Sequence, residues 1–413
     1  MTSIESEKTS RSARLPLWLS GLLPLLAIGL MLLVFALGNP LAVFTANLPP
    51  IEDLSFERIR VTETGFTATL VNGGPHPVKV AQVMVDDAYW DYDITPSAVI
   101  PRLGRATLIV PYPWVENEPN EIKVITNTGL TFSREVPLAT LSPEPGLREF
   151  GAYGLLGVYV GIVPVALGML WYPAMKQIGR RWLGAVLALT IGLLVFLLVD
   201  TFLEALEMAQ ELPGAFQGVA LIVFAALLTW LVLLAISAQQ RQRSGERSAG
   251  GLYLAAMIAL GIGLHNLGEG LAIGAAFSIG EAALGSFLVI GFMLHNITEG
   301  IGIVAPLVPA HRPAEQAGVS TGPGLLTFVW LILLAGAPAI LGAWVGGFAF
   351  SPLLAALFLG IGLGAIWQVI VEVVALLRGY ASRENTPLFS WMNVIGFLAG
   401  IAVMYLTAFL VKF

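Results

Sequence analysis

Nine stretches of apolar sequence, each about the ~20 residues needed to cross a hydrocarbon core, are spaced along this chain. They fall at 17–38, 150–172, 182–204, 215–237, 251–276, 283–306, 325–349, 353–377 and 389–411, and each predicts a membrane-spanning helix. The first follows a polar tail, residues 1–16. Its apolar run is long and no small-x-small cleavage site follows, so it reads as an uncleaved anchor helix rather than a signal peptide.

Residues 50–145 break the pattern. Short runs rich in β-branched residues, Phe66–Val71, Val78–Val85, Ala106–Val110 and Ile122–Ile125, are separated by turn signals at Asn72-Gly73-Gly74-Pro75 and Thr95-Pro96. Strands at this spacing predict a small β-sandwich of immunoglobulin-like type, although the Cys-Trp-Cys signature of true members is missing. The predicted fold class is therefore membrane all-α. An anchor helix (17–38) and a β-sandwich (50–145) precede an eight-helix core (150–412), giving nine transmembrane helices in all.

Composition narrows the classes. The chain is 56% hydrophobic and 12% charged, with mean hydropathy +0.81, against about 25% charged residues in soluble domains. An ordinary soluble enzyme is excluded. A net charge of -6 without a basic patch excludes a nucleic-acid partner. The absence of cysteine removes disulfides, thiol catalysis and thiolate zinc sites.

Charge placement adds orientation. Lys8, Arg11 and Arg14 precede the first span; Lys176, Arg180, Arg181, Arg241, Arg243, Arg247, Arg312, Arg378 and Arg383 occupy alternate loops thereafter. All fall on one side if the N-terminus is cytoplasmic. The β domain and the C-terminus are then extracytoplasmic, as in a multi-pass plasma (inner) membrane protein. The excess of acidic residues lies in the β domain, most densely at Asp86, Asp87, Asp91 and Asp93. That run reads first as a solvated strand end and second as a cation-concentrating surface. His76, between two prolines, reads as a surface residue.

Ionisable residues inside spans are expensive, by about 2.5–3.5 kcal/mol each on insertion scales, and so call for a role. Two segments repeat one pattern: Leu264-His265-Asn266-Leu267-Gly268-Glu269-Gly270 and Leu294-His295-Asn296-Ile297-Thr298-Glu299-Gly300. His and Glu four apart share a helix face, with Asn at its edge. The connecting loop is short, which makes the two helices antiparallel neighbours whose motifs meet at mid-membrane. Two imidazoles, two carboxylates and two amide oxygens suit a first-row divalent cation such as zinc, iron or manganese. The plainer alternative is a pair of His-Glu hydrogen bonds tying two helices together.

These twin His-Asn-x-x-Glu-Gly motifs resemble those of the ZIP (Zrt/Irt-like) family of divalent-metal transporters, bacterial type, over about the last two-thirds of the chain. The resemblance implies a metal centre in which His265, Glu269, His295 and Glu299 form the primary site. Asn266 and Asn296, with bridging glutamates, would form a second. It also aligns Asp200-Thr-Phe-Leu-Glu204-Ala205 with the family's His-x-x-Pro-Glu-Ala stretch, placing Asp200 where His is usual. Glu204, Glu207 and Glu211 would line an outward-facing entrance; an ordinary interfacial acidic loop is the rival reading. Gln368 and Glu372 would lead the ion out, unless Glu372 pairs with Arg378 or another basic group. Two departures stand out. Ala337 replaces a carboxylate before Pro338, which weakens a second metal position. The loop 238–250 has no histidine, so a loop metal sensor is not expected. His311 reads as a loop residue.

The resulting expectation is a secondary transporter and no enzyme. It moves a divalent transition-metal cation, zinc first and iron or manganese as alternatives, into the cytoplasm. No G-x-x-x-x-G-K-[ST] loop for direct ATP coupling is present. The expected partners are the cation and the lipid bilayer, with a homodimer left open and no organic cofactor. Two rival functions remain: an intramembrane metal-dependent hydrolase, and a sensor whose bundle is stabilised by metal.

Overall fold

The computed structural model describes residues 17–38, 51–177, 180–244, 251–279, 282–308, 323–383 and 385–411. The tail 1–16, Arg247, His311 and Arg312 lie outside the described residues. Residues 1–51 and 52–413 form two units. In the first, α1 (Leu17–Gly38) is a 22-residue helix with Pro24 inside it.

The second unit begins with nine strands: β1 (Leu54–Thr62), β2 (Gly65–Asn72), β3 (Val78–Val85), β4 (Ala88–Trp90), β5 (Asp93–Thr95), β6 (Val99–Ile100), β7 (Arg105–Pro111), β8 (Asn120–Thr126) and β9 (Thr131–Val136). They form two sheets, ordered β1-β2-β7-β5 and β4-β3-β8-β9, with β6 on β3. Every pairing is antiparallel. The period-two pattern of β8 turns Ile122 and Val124 inward, and that of β7 does the same for Ala106, Leu108 and Val110. These meet Phe66, Leu70 and Val83 in one apolar core. Strand β1 escaped the sequence reading because a register shift between Phe56 and Arg58 breaks its alternation.

Local chemistry fixes the turns. Asn72 donates Nδ2 to the carbonyls of His76 and Ile100, and its Oδ1 accepts from Gly74 N. Asp86 and Asp87 take positive φ values, 50° and 63°, between the paired Val85 and Ala88. They are the two loop residues of a hairpin. Asp86 then accepts from Tyr112 Oη (2.8 Å), Asn120 Nδ2 (2.9 Å) and Glu121 N (2.8 Å). Burial works to raise its pKa, but these hydrogen bonds and the nearby Lys123 outweigh it and hold the carboxyl below its ordinary value. The most acidic residue run is thus, at Asp86, a turn device.

Among the described residues, eight helical segments of the second unit are long and apolar enough to cross a membrane, which makes this a multi-pass membrane protein. The first is broken: α2 (Leu147–Gly157) and α3 (Val163–Met169) flank a π-helical turn, Val158–Ile162, and a short helical turn, Tyr172–Met175, follows. Next come α4 (Arg180–Gln210), α5 (Gly218–Ser244), α6 (Gly251–Ser278), α7 (Ala282–Val304), α8 (Leu325–Ala349), α9 (Pro352–Arg383) and α10 (Trp391–Val411). Several outrun their apolar stretches. The 31 residues of α4 make a rod of about 47 Å at 1.5 Å per residue, so Glu204 and Glu207 ride on helix.

Most of the helices share one apolar core. Around it, residues 147–175, α6, α7 and α8 pack together as one group and α4, α5, α9 and α10 as another, and the groups meet where α6 lies broadly against α9 and α7 touches α4 and α10. Within each group backbones nearly touch: a Cβ on Gly270 of α6 would stand 2.1 Å from Ala339 O of α8, and one on Gly192 of α4 would stand 2.1 Å from Phe397 O of α10. Glycine alone permits such approach. Between the groups, α6 lies against α9, where Gly362 faces His265. The β domain meets the bundle at the 211–214 loop and the end of α8. Positions 176, 180, 181, 241, 243, 378 and 383, all Lys or Arg, lie at the opposite end.

Candidate metal centre

Helices α6 and α7 follow each other closely and pack together, which brings their motifs side by side. His265, Glu269, His295 and Glu299 are all buried, at 4–8% exposure, and Asn266 and Asn296 are fully so. One ligand atom each from His265, His295 and Glu299 lie within 4.8 Å of one another. The i,i+4 spacing sets the first contact, in which His265 Nε2 donates to Glu269 Oε1 at 3.1 Å. The crossing of the helices supplies the second, from His295 Nε2 to the same oxygen. Asn296 Nδ2 donates to Glu269 Oε2 at 3.1 Å.

Two prolines orient the asparagines. Pro164 has no N–H to give the carbonyl four residues back, which is that of Val160 in the π turn. Asn296 Nδ2 fills that gap at 3.0 Å. In α8, Pro338 removes the donor for Leu334 O, and Asn266 Nδ2 donates to the next carbonyl along, Ala335 O, at 3.0 Å. Each tether commits the amide N–H2 to a backbone carbonyl and thereby fixes which end is oxygen. Both Oδ1 atoms remain buried without a protein partner, as do both carboxylate oxygens of Glu299. The two imidazoles and Glu299, whose ligand atoms converge, are the kind of nitrogen and oxygen donors a divalent cation takes, and the two asparagine oxygens on the same helices are further buried acceptors. Neither carbonyl is a sequence-level candidate, although a proline four residues on is a signal that finds Val160.

The remaining candidates divide. Asp200 and Glu207 are exposed on α4, while Glu204 is half-buried and within electrostatic range of His265 and Glu269. Glu211 stands apart from them, paired with Arg134 of β9 at 3.1 Å. Gln368 and Glu372 are buried together on α9. Gln368 Nε2 donates to Glu372 Oε1 (3.0 Å) and to Ser237 Oγ of α5 (3.4 Å). These hydrogen bonds tie α9 to α5. Ala337, before Pro338, brings no ligand atom. His76 is exposed in its turn.

Compared with known proteins, the chain matches no family profile and no curated sequence.

Proposed function

We infer that this chain is a secondary transporter of a divalent transition-metal cation, of the ZIP-like kind its twin motifs resemble. Zinc is the first substrate, with iron and manganese as alternatives. Import into the cytoplasm is the direction, with the β domain and C-terminus outside and the Lys/Arg positions inside. The strand order β1-β2-β7-β5 over β4-β3-β8-β9 corresponds to the ABED and CFG sheets of an immunoglobulin-type sandwich with one added strand, and this supports reading the extracytoplasmic domain as that type.

One observation carries the transport reading. Glu299 lies beside His265 and His295 among apolar helices with no hydrogen-bond partner for either oxygen, and the oxygens of Asn266 and Asn296 are likewise buried and unpaired. A carboxylate kept there unpaired is costly, and a cation removes that cost. A purely structural His-Glu tie accounts for Glu269 but not for Glu299. Glu204 lies on the approach from the β-domain end, and the site sits where one helical group meets the other. Rocking of one group against the other would then expose it to each side in turn. A zinc hydrolase could take His265, His295 and Glu299 as its three ligands, but it also needs a free base near an open position, and the other carboxylate of the motifs, Glu269, is held by both imidazoles and Asn296.

The test is uptake of radiolabelled zinc into liposomes holding the purified protein, beside a His265→Ala/Glu299→Ala variant. Saturable uptake by the wild type that the variant loses is the expected result. A wild type that binds zinc but moves neither zinc, iron nor manganese would sink the reading.

A further inference from the structure

The β domain holds both helical groups at once. To the group bearing the metal centre it is joined by the chain itself, through residues 137–146 into α2. It is joined again by Arg58 of β1, whose Nη1 and Nη2 donate to Phe348 O and Gly347 O at 3.3 Å each. Those carbonyls end α8, where a cation is favoured by both hydrogen bonding and the helix dipole. Arg60 Nη2 donates to Pro143 O at 3.0 Å and pins the connecting segment to the same strand.

Among the described residues, the polar contacts that join it to the other group fall at the loop between α4 and α5. Asp53 Oδ2 accepts from Gly214 N at 2.8 Å. Arg134 Nη2 meets Glu211 Oε1 at 3.1 Å. At Gly73 the two surfaces are in contact, since a Cβ there would lie 2.1 Å from Pro213 Cβ. Between the two attachments is a cavity of about 260 Å³ bordered by Arg58, Glu57, Arg134, Glu211 and Phe350.

We propose that the β domain is a strap across the outer end of the bundle, fixed to the metal-bearing helices and latched to the α4–α5 loop, and that this latch opens for each transport cycle. The inference rests on the transport reading above, because only a cycle that moves one group against the other strains the strap. The two attachments differ in the way such a device requires. The fixed side has a covalent link and a half-buried arginine. The latch is one hydrogen bond, one close contact at Gly73 and an ion pair partly open to water, with side-chain exposures of 44% and 32%. Exposed pairs of this kind are weak and screened by salt, so the latch can let go without unfolding either partner.

Absence of cysteine in the native chain gives a clean test in the full-length protein. In an Asp53→Cys/Gly214→Cys variant, oxidation should lock the latch. Zinc uptake into liposomes should fall by about tenfold or more, as for a blocked conformational step, and return when reductant is added. Zinc binding in detergent should stay unchanged. An Arg134→Ala variant, with the latch loosened, should take up zinc about two- to fivefold faster, the size expected for one exposed ion pair. A cross-linked protein that transports at its reduced rate overturns the strap and leaves the transport reading standing. Failure of the two cysteines to join under oxidation also overturns it. A wild type that binds zinc and moves none sinks the transport reading, and the strap with it.

Discussion

The two copies of the His-Asn-x-x-Glu-Gly sequence differ only at Leu267/Ile297 and Gly268/Thr298, yet their glutamates do opposite things. Glu269 on α6 is saturated: one oxygen meets both imidazoles and the other accepts from Asn296. Glu299 on α7 has no partner for either oxygen. One copy organises the cluster, and the other leaves its carboxylate for a ligand. A repeat in sequence therefore does not imply a symmetric site, because each side chain's role is set by what the neighbouring helix offers it.

Isosteric replacement of each carboxylate breaks this comparison most sharply. Glu299→Gln should cost zinc affinity more than about 100-fold, beyond the 10–100-fold that outer-shell partners command, while the metal-free protein melts at or above the wild-type temperature. Glu269→Gln should also lose zinc, but with a metal-free protein destabilised by about 1–3 kcal/mol, because buried donors on His265, His295 and Asn296 lose an acceptor. Thermal unfolding in detergent, with and without zinc, reads both. Equal shifts for the two variants would show the roles to be interchangeable.

The shared and unshared glycines give a smaller contrast. Gly270 and Gly300 occur in both copies, and a Cβ at either would strike a backbone carbonyl: Ala339 O at 2.1 Å or Val165 O at 2.4 Å. Ala at Gly270 should destabilise by about 1–3 kcal/mol, the range for forced overpacking. Gly268 stands where the second copy has Thr298, and its Cβ would meet only Leu359 Cδ2 at 3.7 Å. Gly268→Ala should be neutral, or stabilising by up to about 1 kcal/mol through helix propensity. Chemical unfolding of the two variants side by side measures the difference.

Much of this was legible beforehand for a physical reason. Apolar runs mark helices that must bury every backbone group, and an i,i+4 His-Glu pair has one geometry on any helix. The four residues that meet around the centre follow from these two rules. The inequality of Glu269 and Glu299 does not, since it depends on how α7 crosses α6. The same holds for the latch: nothing around Arg134 or Asp53 in the chain marks them as contacts to a loop some 80 to 160 positions away. In the β domain, Asp86-Asp87 reads as solvated charge because a two-residue turn without glycine gives little signal. The paired Val85 and Ala88 make it a hairpin.

The finest test of the asymmetry uses the asparagines, whose difference is a single bond. Both give an N–H to a carbonyl beside a proline break, Asn266 to Ala335 and Asn296 to Val160. Only Asn296 also donates to Glu269, so it alone ties the broken helix 147–175 to the carboxylate that holds both imidazoles. Asn266→Ala removes a hydrogen bond to Ala335 O, which keeps Ala339 N as its helical donor, whereas Asn296→Ala takes the amide donor from the buried Val160 carbonyl, which Pro164 cannot pair, at a cost of about 1–3 kcal/mol. The second variant also frees Glu269 Oε2 and should cost about 1 kcal/mol more, the net worth of one hydrogen bond. The imidazoles depend on how Glu269 is held, so zinc affinity should fall further in Asn296→Ala than in Asn266→Ala. The reverse order, measured by titration calorimetry on the two proteins, would place the organising carboxylate on α7 and overturn the division of labour between the copies.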